Sequence, residues 1–570
     1  MSSSSSAERK VLVVTSSPKH DERDIAINQL TQQLEAAGRF TLSVVRVTSN
    51  GVPALASLPD SGFDAVLILT DREDTLPAAH ADALAKYVRG GAGLVVLHQA
   101  VETVAQHEAL AGLVGAHKLS SSPTAFDFKV RFTNSAQESG HTIAVRCDEF
   151  DVHDELLAIE APDDGTPFAV AHIDGKDTPV GFTRQADKGE VAYLALGGHP
   201  RAILNPHVVR MIERSLRHVC GEKFDTTIGV GIIGYGGAFN MGKVHSDSLN
   251  AQYGCKTVAV CDANPERVKQ AKVELGDHIK TYTRYQDLLK DDKVDLVVII
   301  LPHNLHAEVC VAASKAGKHV VTEKPFSITI AEADAMIAAA KESGKMLSCF
   351  HNRRWDGDFR QMLSLVRSGE IGEVFHADAA TGDWNQPNNW WRASKPVSGG
   401  ILYDWGAHYI DWLLNIIPRR IESVSGVFHK HVWHNSSNED YALVNIRFEG
   451  GASATVEQGQ LTAVRRAGWR ILGTEGGLTN AHPGAPVTMI QHRDGSRREV
   501  NLAQWKPNWH AYYQNVANHL IMGEPLIVTA EQARRTIGIL ELAERSHAEG
   551  GKPLPLPGEE NFTPNYAWPI

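Results

Sequence analysis

The stretch that decides the fold is IGVGIIGYGGAF, residues 228–239. Its apolar first half predicts a buried strand, and Gly234, Gly236 and Gly237 predict a tight turn that leads into a helix. Glycines in this pattern let a pyrophosphate approach the backbone at a helix N-terminus. The pattern therefore predicts a dinucleotide-binding turn, with a glycine turn that binds no ligand as the alternative.

The residues after the glycines depart from the usual pattern. Phe239 stands where a third glycine or an alanine is expected, and Asn240 follows it, which indicates a longer loop before the helix. The next strand ends on Asp262, where a carboxylate can bind both ribose hydroxyls and repel a 2′-phosphate. Arg267 lies five residues further on and favours that phosphate. The sequence therefore favours NAD, with NADP as the less favoured cofactor.

Strands and helices alternate in two blocks, and the pattern changes after them. The predicted architecture is an α/β multidomain protein: a disordered leader over residues 1–8, then a parallel-sheet domain over 9–221, for which a family resemblance of these residues implies the flavodoxin and class I amidotransferase type. A Rossmann domain follows over 226–350. Longer strands with polar residues at alternate positions predict an α+β domain over 351–570, with a large, open and mostly antiparallel sheet.

Composition excludes several classes of partner. The 570 residues carry a net charge of -11 and 43% hydrophobic residues, which argues against nucleic acid or an anionic membrane surface as a partner. No apolar run reaches the roughly 18 residues of a membrane span. The six cysteines form no CxxC pair, which predicts a reducing, cytoplasmic environment without a disulfide framework.

The segment LYDWGAHYID, residues 402–411, carries the first candidate catalytic groups. Asp404, His408 and Asp411 are spaced i, i+4 and i+7, so on a helix they share one face. A capping acid followed by a structural histidine with a carboxylate partner explains the segment without any chemistry. A substrate-facing helix is the other interpretation.

Several ordered motifs decide between these interpretations. They are GYGG (234–237), LPHNLHAE (301–308), TEKPFS (322–327), FHNRRWDGDF (350–359), GEIGEV (369–374), GGILYDWGAHYID (399–411) and LGTEGG (472–477). On these motifs residues 226–570 resemble the Gfo/Idh/MocA family of sugar and inositol dehydrogenases. The resemblance favours the substrate-facing interpretation of the helix.

The resemblance implies a catalytic set of Lys324, Asp404 and His408. In that family the lysine of the EKP motif sits where nicotinamide meets substrate, and the Lys324–Pro325 bond is often cis. A base with a pKa near neutrality is needed to take the hydroxyl proton, and His408 has such a pKa without tuning. Asp404 can fix the imidazole tautomer or bind a sugar hydroxyl. The charge of Lys324 stabilises the developing alkoxide.

Further contacts are expected on both sides of the reacting carbon. Cofactor contacts are expected from residues after two strands of the Rossmann sheet: Pro302, Asn304, His306, Glu323 and Lys324. His306 also fits a structural role at a helix start. Arg353 and Trp355 are expected at the substrate side of the domain junction, and Arg354 in a surface pair. A tryptophan-rich loop adds three substrate candidates, with ordinary packing as the alternative: Trp390, Trp391 and Arg392.

Residues 9–221 resemble the ThuA-like (trehalose utilisation) domain through VLVVTSSPKHDE (11–22), YVRGGAGLVVLH (87–98), VHDEL (152–156), TPVGFTR (178–184) and KGEVAYLALGGH (188–199). His98 stands where an amidotransferase has its cysteine, so glutaminase activity is not expected. His20, His98 and His199 follow predicted strands, whose ends share one edge of a parallel sheet. With Glu155 they predict a pocket for a polar ligand. A zinc site and a domain kept only for assembly are the alternatives.

The leading hypothesis is an NAD-dependent oxidoreductase that acts on a small-molecule sugar, glycoside or polyol, coupled to a ThuA-like carbohydrate-handling domain. A redox-neutral, NAD-dependent glycosidase or lyase that works through a keto-sugar is the first alternative, and a nucleotide-binding sensor without turnover is the second. We also expect a homo-oligomer. Val444, Ile446 and Phe448 share one strand face, which suits a subunit contact if that face is uncovered and the core if it is not.

Overall fold

The computed structural model describes residues 8–16, 21–236 and 239–564. Contacts between residues separate the chain into two compact units, residues 1–225 and 226–568. The predicted leader lies outside the described residues except for Glu8, and so do His20 and Gly237. No helix in the described part of the chain is long and apolar enough to cross a membrane.

The first unit is built on one large sheet with helices packed against it. Its strands are β1 (Arg9–Thr15), β2 (Phe40–Arg46), β3 (Ala65–Leu69), β4 (Gly93–Leu97), β5 (His117–Ser121), β6 (Phe126–Phe132), β7 (Phe150–Asp154), β8 (Leu157–Glu160), β9 (Thr166–Ile173), β10 (Lys176–Ala186) and β11 (Gly189–Leu194). Its helices are α1 (Glu22–Ala36), α2 (Pro53–Ala56), α3 (Leu58–Ser61), α4 (Ala78–Arg89), α5 (Ala100–Ala105), α6 (Glu108–Val114), α7 (Asn134–Glu138), α8 (Pro200–Ile203) and α9 (Pro206–Val219).

The nine-stranded sheet has the order β2-β1-β3-β4-β11-β10-β9-β6-β7. Strands β2 to β11 in this order run parallel, which confirms the predicted parallel sheet. The remaining strands extend it in antiparallel pairs. The two halves differ in burial: β3 and β4 are buried at every residue, as expected for strands covered on both faces, whereas β6 alternates.

The second unit contains two further sheets. Its strands are β12 (Ile228–Ile233), β13 (Cys255–Cys261), β14 (Lys280–Tyr282), β15 (Leu296–Ile299), β16 (His319–Thr322), β17 (Leu347–Cys349), β18 (Val374–Gly382), β19 (Ile421–His429), β20 (Tyr441–Phe448), β21 (Ser453–Gly459), β22 (Trp469–Gly473), β23 (Gly476–Asn480), β24 (Thr488–Arg493) and β25 (Ser496–Asn501). Its α-helices are α10 (Met241–Asn250), α11 (Pro265–Leu275), α12 (Tyr285–Leu288), α13 (His306–Lys315), α14 (Ile330–Ser343), α15 (Gly357–Arg367), α16 (Lys395–Ser398), α17 (Gly406–Ile416), α18 (His510–Met522) and α19 (Ala530–Ala548). Short 3₁₀ helices are His303–Leu305, Asn352–Trp355, Trp391–Ala393, Ile401–Tyr403, Glu449–Gly451 and Glu559–Asn561.

The first of these sheets is parallel throughout, with the order β14-β13-β12-β15-β16-β17. Strand β12 is buried at all six residues, and the chain crosses from one side of it to the other between β14 and β15. This is the doubly wound order with its reversal at β12 and β15, where ligands bind beyond the carboxyl ends of the strands. The glycine turn follows β12 and therefore lies at that crevice.

The second sheet has eight strands in the order β19-β20-β21-β18-β22-β23-β24-β25. Strands β18 and β21 run parallel and the other neighbours antiparallel, as predicted for a mostly antiparallel sheet. Val444, Ile446 and Phe448 are each 0% exposed within the core. The expectation that they form a subunit contact is wrong, because they lie on the face of the sheet that the helices cover.

Candidate functional site

The glycine turn after β12 brings the backbone close to its neighbours. Gly234 has φ 93°, and a Cβ there would lie 2.0 Å from the carbonyl oxygen of Ile300. A Cβ at Gly236 would lie 2.7 Å from the side chain of Arg267. At Gly234 only glycine satisfies both the left-handed backbone and the close approach to a carbonyl oxygen. The turn therefore fits the cradle that a pyrophosphate needs.

Phe239 and Asn240 follow this turn. The ring of Phe239 is 61% exposed and packs edge-on against Trp390, with 6.0 Å between centroids. Asn240 has φ 49° and precedes α10 without a side-chain capping bond. A third glycine would allow the turn to pack closely against the helix that follows it. Phe239 lies outside that packing, on the side of the turn that faces the tryptophan loop.

Asp262 at the end of β13 is held against the glycine turn. Its Oδ2 accepts hydrogen bonds from the backbone N–H groups of Tyr235 at 2.9 Å and Gly236 at 3.1 Å. Its Oδ1 accepts one from Asn264 at 2.8 Å. These bonds fix one negative charge beside the turn, where the sequence predicts the ribose.

Glu323 and Lys324 follow β16, and the Lys324–Pro325 bond is cis, as expected from the resemblance. Oε1 of Glu323 lies 3.0 Å from Nε2 of His245, and its Oε2 accepts a bond from the backbone N–H of Lys324 at 3.0 Å. Burial would raise the pKa of Glu323, but His245 and Lys324 lower it below the usual value. Glu323 therefore anchors the loop that presents Lys324.

Lys324, Asp404 and Arg392 meet at one carboxylate oxygen. Nζ of Lys324 lies 2.8 Å and Nη1 of Arg392 2.7 Å from Oδ1 of Asp404. Burial would raise the pKa of Asp404, but these two cations hold it well below its usual range. The Asp404 side chain is still 42% exposed, so the ionised cluster faces an open crevice.

Asp404 does not share a helix face with His408, because α17 begins only at Gly406 and Asp404 lies in the turn before it. The carboxylate of Asp404 accepts hydrogen bonds from Lys324 and Arg392, so the expected role of fixing the His408 tautomer is wrong, and the alternative role of binding a sugar hydroxyl stays a prediction. The three predicted catalytic residues still converge, through Lys324 rather than through a common helix face.

His408 is buried, and its ring centroid lies 5.7 Å from Trp405 and 6.4 Å from His351. Burial, reinforced by the charges of Lys324 and Arg353, lowers the pKa of His408 well below 6.5. The expectation that its pKa needs no tuning is therefore wrong. Among the described residues its Nδ1 has no hydrogen-bond partner. A neutral imidazole is the form that a proton acceptor needs.

Asp411 is structural rather than catalytic. Its carboxylate accepts from Nε of Arg354 at 2.8 Å and from Nη2 at 2.6 Å, and both side chains are almost fully buried. The expected surface pairing of Arg354 is wrong, because this bidentate pair lies inside the second unit. Trp355 is only 5% exposed and packs on Tyr512 at 5.9 Å, and its substrate role stays a prediction.

The buried pair carries a stability prediction. Arg354→Met leaves Asp411 with an uncompensated buried charge, and we expect the free energy of unfolding to fall by about 3–5 kcal/mol. The matched control is Arg420→Met, which breaks an exposed pair with Glu449 and should lower the free energy of unfolding far less, because solvent screens that pair. Urea unfolding of both variants measures the difference. Equal losses would show that the interior pair contributes no more than a surface one.

Arg392 is surrounded by aromatic rings. Its guanidinium carbon lies 5.2 Å from the ring centroid of Trp390, 5.1 Å from that of Trp391 and 5.7 Å from that of Phe239. The predicted loop candidates therefore lie beside Lys324 and Asp404, joined to them by the ion pair of Arg392. This arrangement supports the substrate interpretation of the loop.

The segment after β15 has mixed roles. Asn304 is exposed and Pro302 half-buried, both beyond the carboxyl end of the strand. The ring nitrogens of His306 lie 2.8 Å from the carbonyl oxygen of Pro325 and 2.9 Å from that of Leu301. The expected cofactor contact of His306 is therefore wrong, and its alternative structural role is the one observed.

His303 is a site residue that the sequence analysis did not select. Its Nδ1 lies 2.7 Å from the carbonyl oxygen of Ser398, and its ring lies 4.8 Å from Trp391. Burial, with the charges of its neighbours, lowers the pKa of His303 well below 6.5. Its place in LPHNLHAE, beside the selected Asn304, was the available signal.

In the first unit, His98 follows β4 with φ 43°. Its Nε2 lies 3.0 Å from the carbonyl oxygen of Glu155, which can only accept, so Nε2 carries the proton and Nδ1 holds the lone pair. Nδ1 is buried without a hydrogen-bond partner among the described residues. Burial lowers the pKa of His98 to about 4. His98 is therefore a neutral base at a strand end.

The carboxylate of Asp154, at the end of β7, hydrogen-bonds to the segment that follows β11. It is fully buried, burial raises its pKa to about 6, and it accepts from the backbone N–H groups of Gly197 at 2.7 Å and His199 at 2.8 Å. A Cβ at Gly198 would lie 2.4 Å from the ring of His98. His98, Glu155 and His199 thus share one edge of the sheet. Among residues 8–16, 21–236 and 239–564 no group of three or more histidines, cysteines or acids could hold a metal ion, so the zinc alternative finds no support there.

The order reversal at β12 and β15 and the glycine turn beside it define a Rossmann-type fold with a dinucleotide-binding turn. Models of the Gfo/Idh/MocA family and of the ThuA family match successive parts of the chain. Residues 228–351 match the oxidoreductase family with an NAD-binding Rossmann fold, and residues 359–479 match the Gfo/Idh/MocA C-terminal domain. Residues 10–219 match the ThuA trehalose utilisation family.

Relatives match the second unit over almost their full lengths. The scyllo-inositol 2-dehydrogenase (NADP(+)) of Bacillus subtilis is 26% identical over 353 residues, covering 58% of this chain and 96% of that protein. The scyllo-inositol 2-dehydrogenase (NAD(+)) of the same organism is 27% identical over 351 residues, covering 59% and 97%. The crystal structure of an NAD-binding protein from Listeria innocua is 26% identical with a TM-score of 0.53, covering 59% and 99%.

Proposed function

We propose that the second unit transfers a hydride between NAD and a secondary alcohol carbon of a sugar or polyol. The observation that carries this proposal is the neutral, buried His408 in the same crevice as the ion pair of Lys324 with Asp404. The relatives named above support a polyol as the substrate class. The glycine cradle and the fixed Asp262 fit the dinucleotide.

Each group of the crevice has a distinct task in this proposal. When bound, NAD supplies the nicotinamide carbon that accepts the hydride. Nζ of Lys324 binds the reacting hydroxyl oxygen and stabilises the negative charge that develops there. The neutral imidazole of His408 takes the hydroxyl proton. Asp404 and Arg392 orient Lys324 and bind neighbouring hydroxyls.

Product analysis tests the proposal. Mass spectrometry of the denatured protein identifies any retained nicotinamide nucleotide, and a panel of sugars and polyols is then read in the NADH absorbance band. We expect NADH to accumulate in proportion to oxidised substrate. Cleavage of a glycoside without net NADH would instead indicate redox-neutral catalysis, and nucleotide binding without any turnover would indicate a sensor.

We also propose that NAD is preferred over NADP because Asp262 fixes a negative charge beside the turn. Asp262→Asn keeps an acceptor oxygen for the turn but removes that charge. We expect the ratio of kcat/KM for NAD to that for NADP to fall at least about tenfold. The control is Asp277→Asn, at an exposed carboxylate of the same domain, which should leave the ratio unchanged. An unchanged ratio in Asp262→Asn would assign the preference to other groups, such as Arg267.

For the first unit we propose a pocket for a polar ligand at His98, Glu155 and His199. The buried lone pair on Nδ1 of His98 supports this role. Titration of the full chain with trehalose and the same sugar panel should shift the ¹⁵N resonances of His98 and His199 together and leave that of His319, in the second unit, in place. Resonances of His98 and His199 that stay unmoved throughout the panel would favour a domain kept for assembly.

For the assembled protein we propose a homo-oligomer that uses the polar face of the eight-stranded sheet, the face opposite Val444 and Ile446. Asn445 and Arg447 on that face are exposed. Sedimentation of the full chain and of Arg447→Glu tests this assignment. A wild-type monomer, or an oligomer unaffected by the charge reversal, would contradict it.

A further inference from the structure

Two tryptophans stand exposed on a single loop of the second unit. Residues 502–509 lead from β25 to α18, and on this loop the side chains of Trp505 and Trp509 are 39% and 45% exposed. Exposed indoles leave a large apolar surface in water, so they indicate a surface that is covered in some functional state.

The loop that presents them is held in place. The backbone N–H of Asn508 donates to the carbonyl oxygen of Trp355 at 2.9 Å. A Cβ at Gly357 would lie 1.8 Å from the carbonyl oxygen of Trp505, so this close approach of the loop to α15 requires glycine. The loop therefore presents its indoles from a fixed backbone, which lowers the entropic cost of binding.

Trp509 is also fixed at its side chain. Its Nε1–H donates to Oδ1 of Asp356 at 2.5 Å, and Oδ2 of the same carboxylate accepts from Nη1 of Arg353 at 3.0 Å. The guanidinium carbon of Arg353 lies 5.5 Å from the ring centroid of Trp509 and 4.6 Å from that of Trp405. The exposed indole is thus bordered by a carboxylate and a guanidinium rather than by further apolar residues.

This aromatic row is continuous with the proposed catalytic crevice. The ring of Trp405 lies 5.7 Å from that of His408. From the catalytic imidazole the row therefore runs through Trp405 and Arg353 outward to Trp509. A ligand that reacts at His408 and also contacts Trp509 has to extend past Trp405 and Arg353.

We propose that the substrate is a glycoside of at least two sugar rings, whose outer ring stacks on Trp509 while the inner ring is oxidised at Lys324 and His408. An indole face packs against the apolar C–H face of a sugar ring, and the charged groups beside it bind the hydroxyls. Trp509 offers the indole face and Arg353 the charged group, while the buried carboxylate of Asp356 holds both side chains in place. The inference rests on the proposed function and narrows its substrate class.

Steady-state kinetics of the full chain test the outer subsite with glucose, trehalose, maltose and cellobiose as probes. We expect at least one disaccharide to have a higher kcat/KM than glucose. Trp509→Ala should lower kcat/KM for that disaccharide about tenfold. The loss should appear in KM, while kcat and the constants for glucose stay within about twofold, since the inner ring does not reach the loop.

The matched control is Tyr253→Ala, which removes an aromatic ring that is 43% exposed at the opposite edge of the Rossmann sheet, before β13. Tyr253→Ala should leave kcat and KM unchanged for both glucose and the disaccharide. The subsite would be contradicted if Trp509→Ala lowered kcat/KM equally for glucose and for the disaccharide. It would also be contradicted if no disaccharide had a higher kcat/KM than glucose. If no sugar yields NADH, the proposed oxidation fails instead. In that case calorimetric titration with the same disaccharides tests the subsite separately. Weaker binding to Trp509→Ala supports the subsite, and unchanged binding contradicts it.

Discussion

Lys324→Ala should lower kcat by about 10³-fold, because it removes the cation that faces the developing alkoxide. It also leaves Asp404 with Arg392 as its remaining partner at Oδ1. Binding of NAD should change little, since the glycine turn and Asp262 hold the dinucleotide independently of this side chain. Pre-steady-state NADH formation and a separate NAD titration measure the two effects.

The control is Lys290→Ala, at a lysine whose side chain is 76% exposed and paired with Asp287. It should retain full activity. If Lys324→Ala keeps kcat within a few-fold while NAD affinity collapses, the lysine binds cofactor and does not act on the hydroxyl. The assignment of Lys324 to catalysis would then be wrong.

His408→Asn should lower kcat by about 10³-fold, because general-base catalysis typically contributes that order of acceleration. The lowered pKa of His408 also predicts the pH dependence of the wild type. An imidazole with an unshifted pKa would lose its basic form as the pH falls through 6.5. His408 stays neutral there, so kcat/KM should remain level as the pH falls from about 7.5 to 6.

Two outcomes would contradict this role. A limb centred near pH 6.5 in the wild type that disappears in His408→Asn would show that His408 titrates normally despite its burial. Near-wild-type turnover in His408→Asn at every pH would show that another group accepts the proton. His141→Asn is the control, because burial also lowers the pKa of this imidazole, to about 4, but it lies in the first unit; it should leave kcat unchanged.

The features that local patterns encode were predicted from the sequence. Alternating strands and helices predicted the two parallel sheets, and Gly234 and Gly236 predicted a turn whose close approaches admit no side chain. The motifs of the resemblance brought Lys324 and His408 into one crevice although they are far apart along the chain. These predictions hold because they depend on backbone conformation and on ordered motifs.

The incorrect predictions concern side chains whose roles are set by tertiary packing. Helical spacing placed Asp404 with His408, but the helix begins after Asp404, and the lysine and arginine beside the aspartate determine its pKa. The position of His306 after a strand of the Rossmann sheet suggested a cofactor contact. Its ring nitrogens instead lie within hydrogen-bond distance of two backbone carbonyl oxygens.

Strand alternation likewise identifies which residues share one face of a sheet. It does not tell whether helices cover that face. Val444 and its neighbours illustrate this ambiguity, because helices α17 and α19 decide which side of their sheet is the core. Arg354 shows the same limit for charge, since this arginine directly follows another arginine in the sequence but proved to be buried with Asp411.

The most direct measurement is deuterium transfer from a sugar labelled at the carbinol carbon to the nicotinamide ring, followed by mass spectrometry in wild type and in Lys324→Ala. The pairing of a fixed cation with an uncharged imidazole in one crevice predicts that labelled NADH forms in the wild type and is nearly abolished in the variant. Substrate consumed by the wild type without any label reaching the nucleotide, or equal labelling in both proteins, would contradict the account.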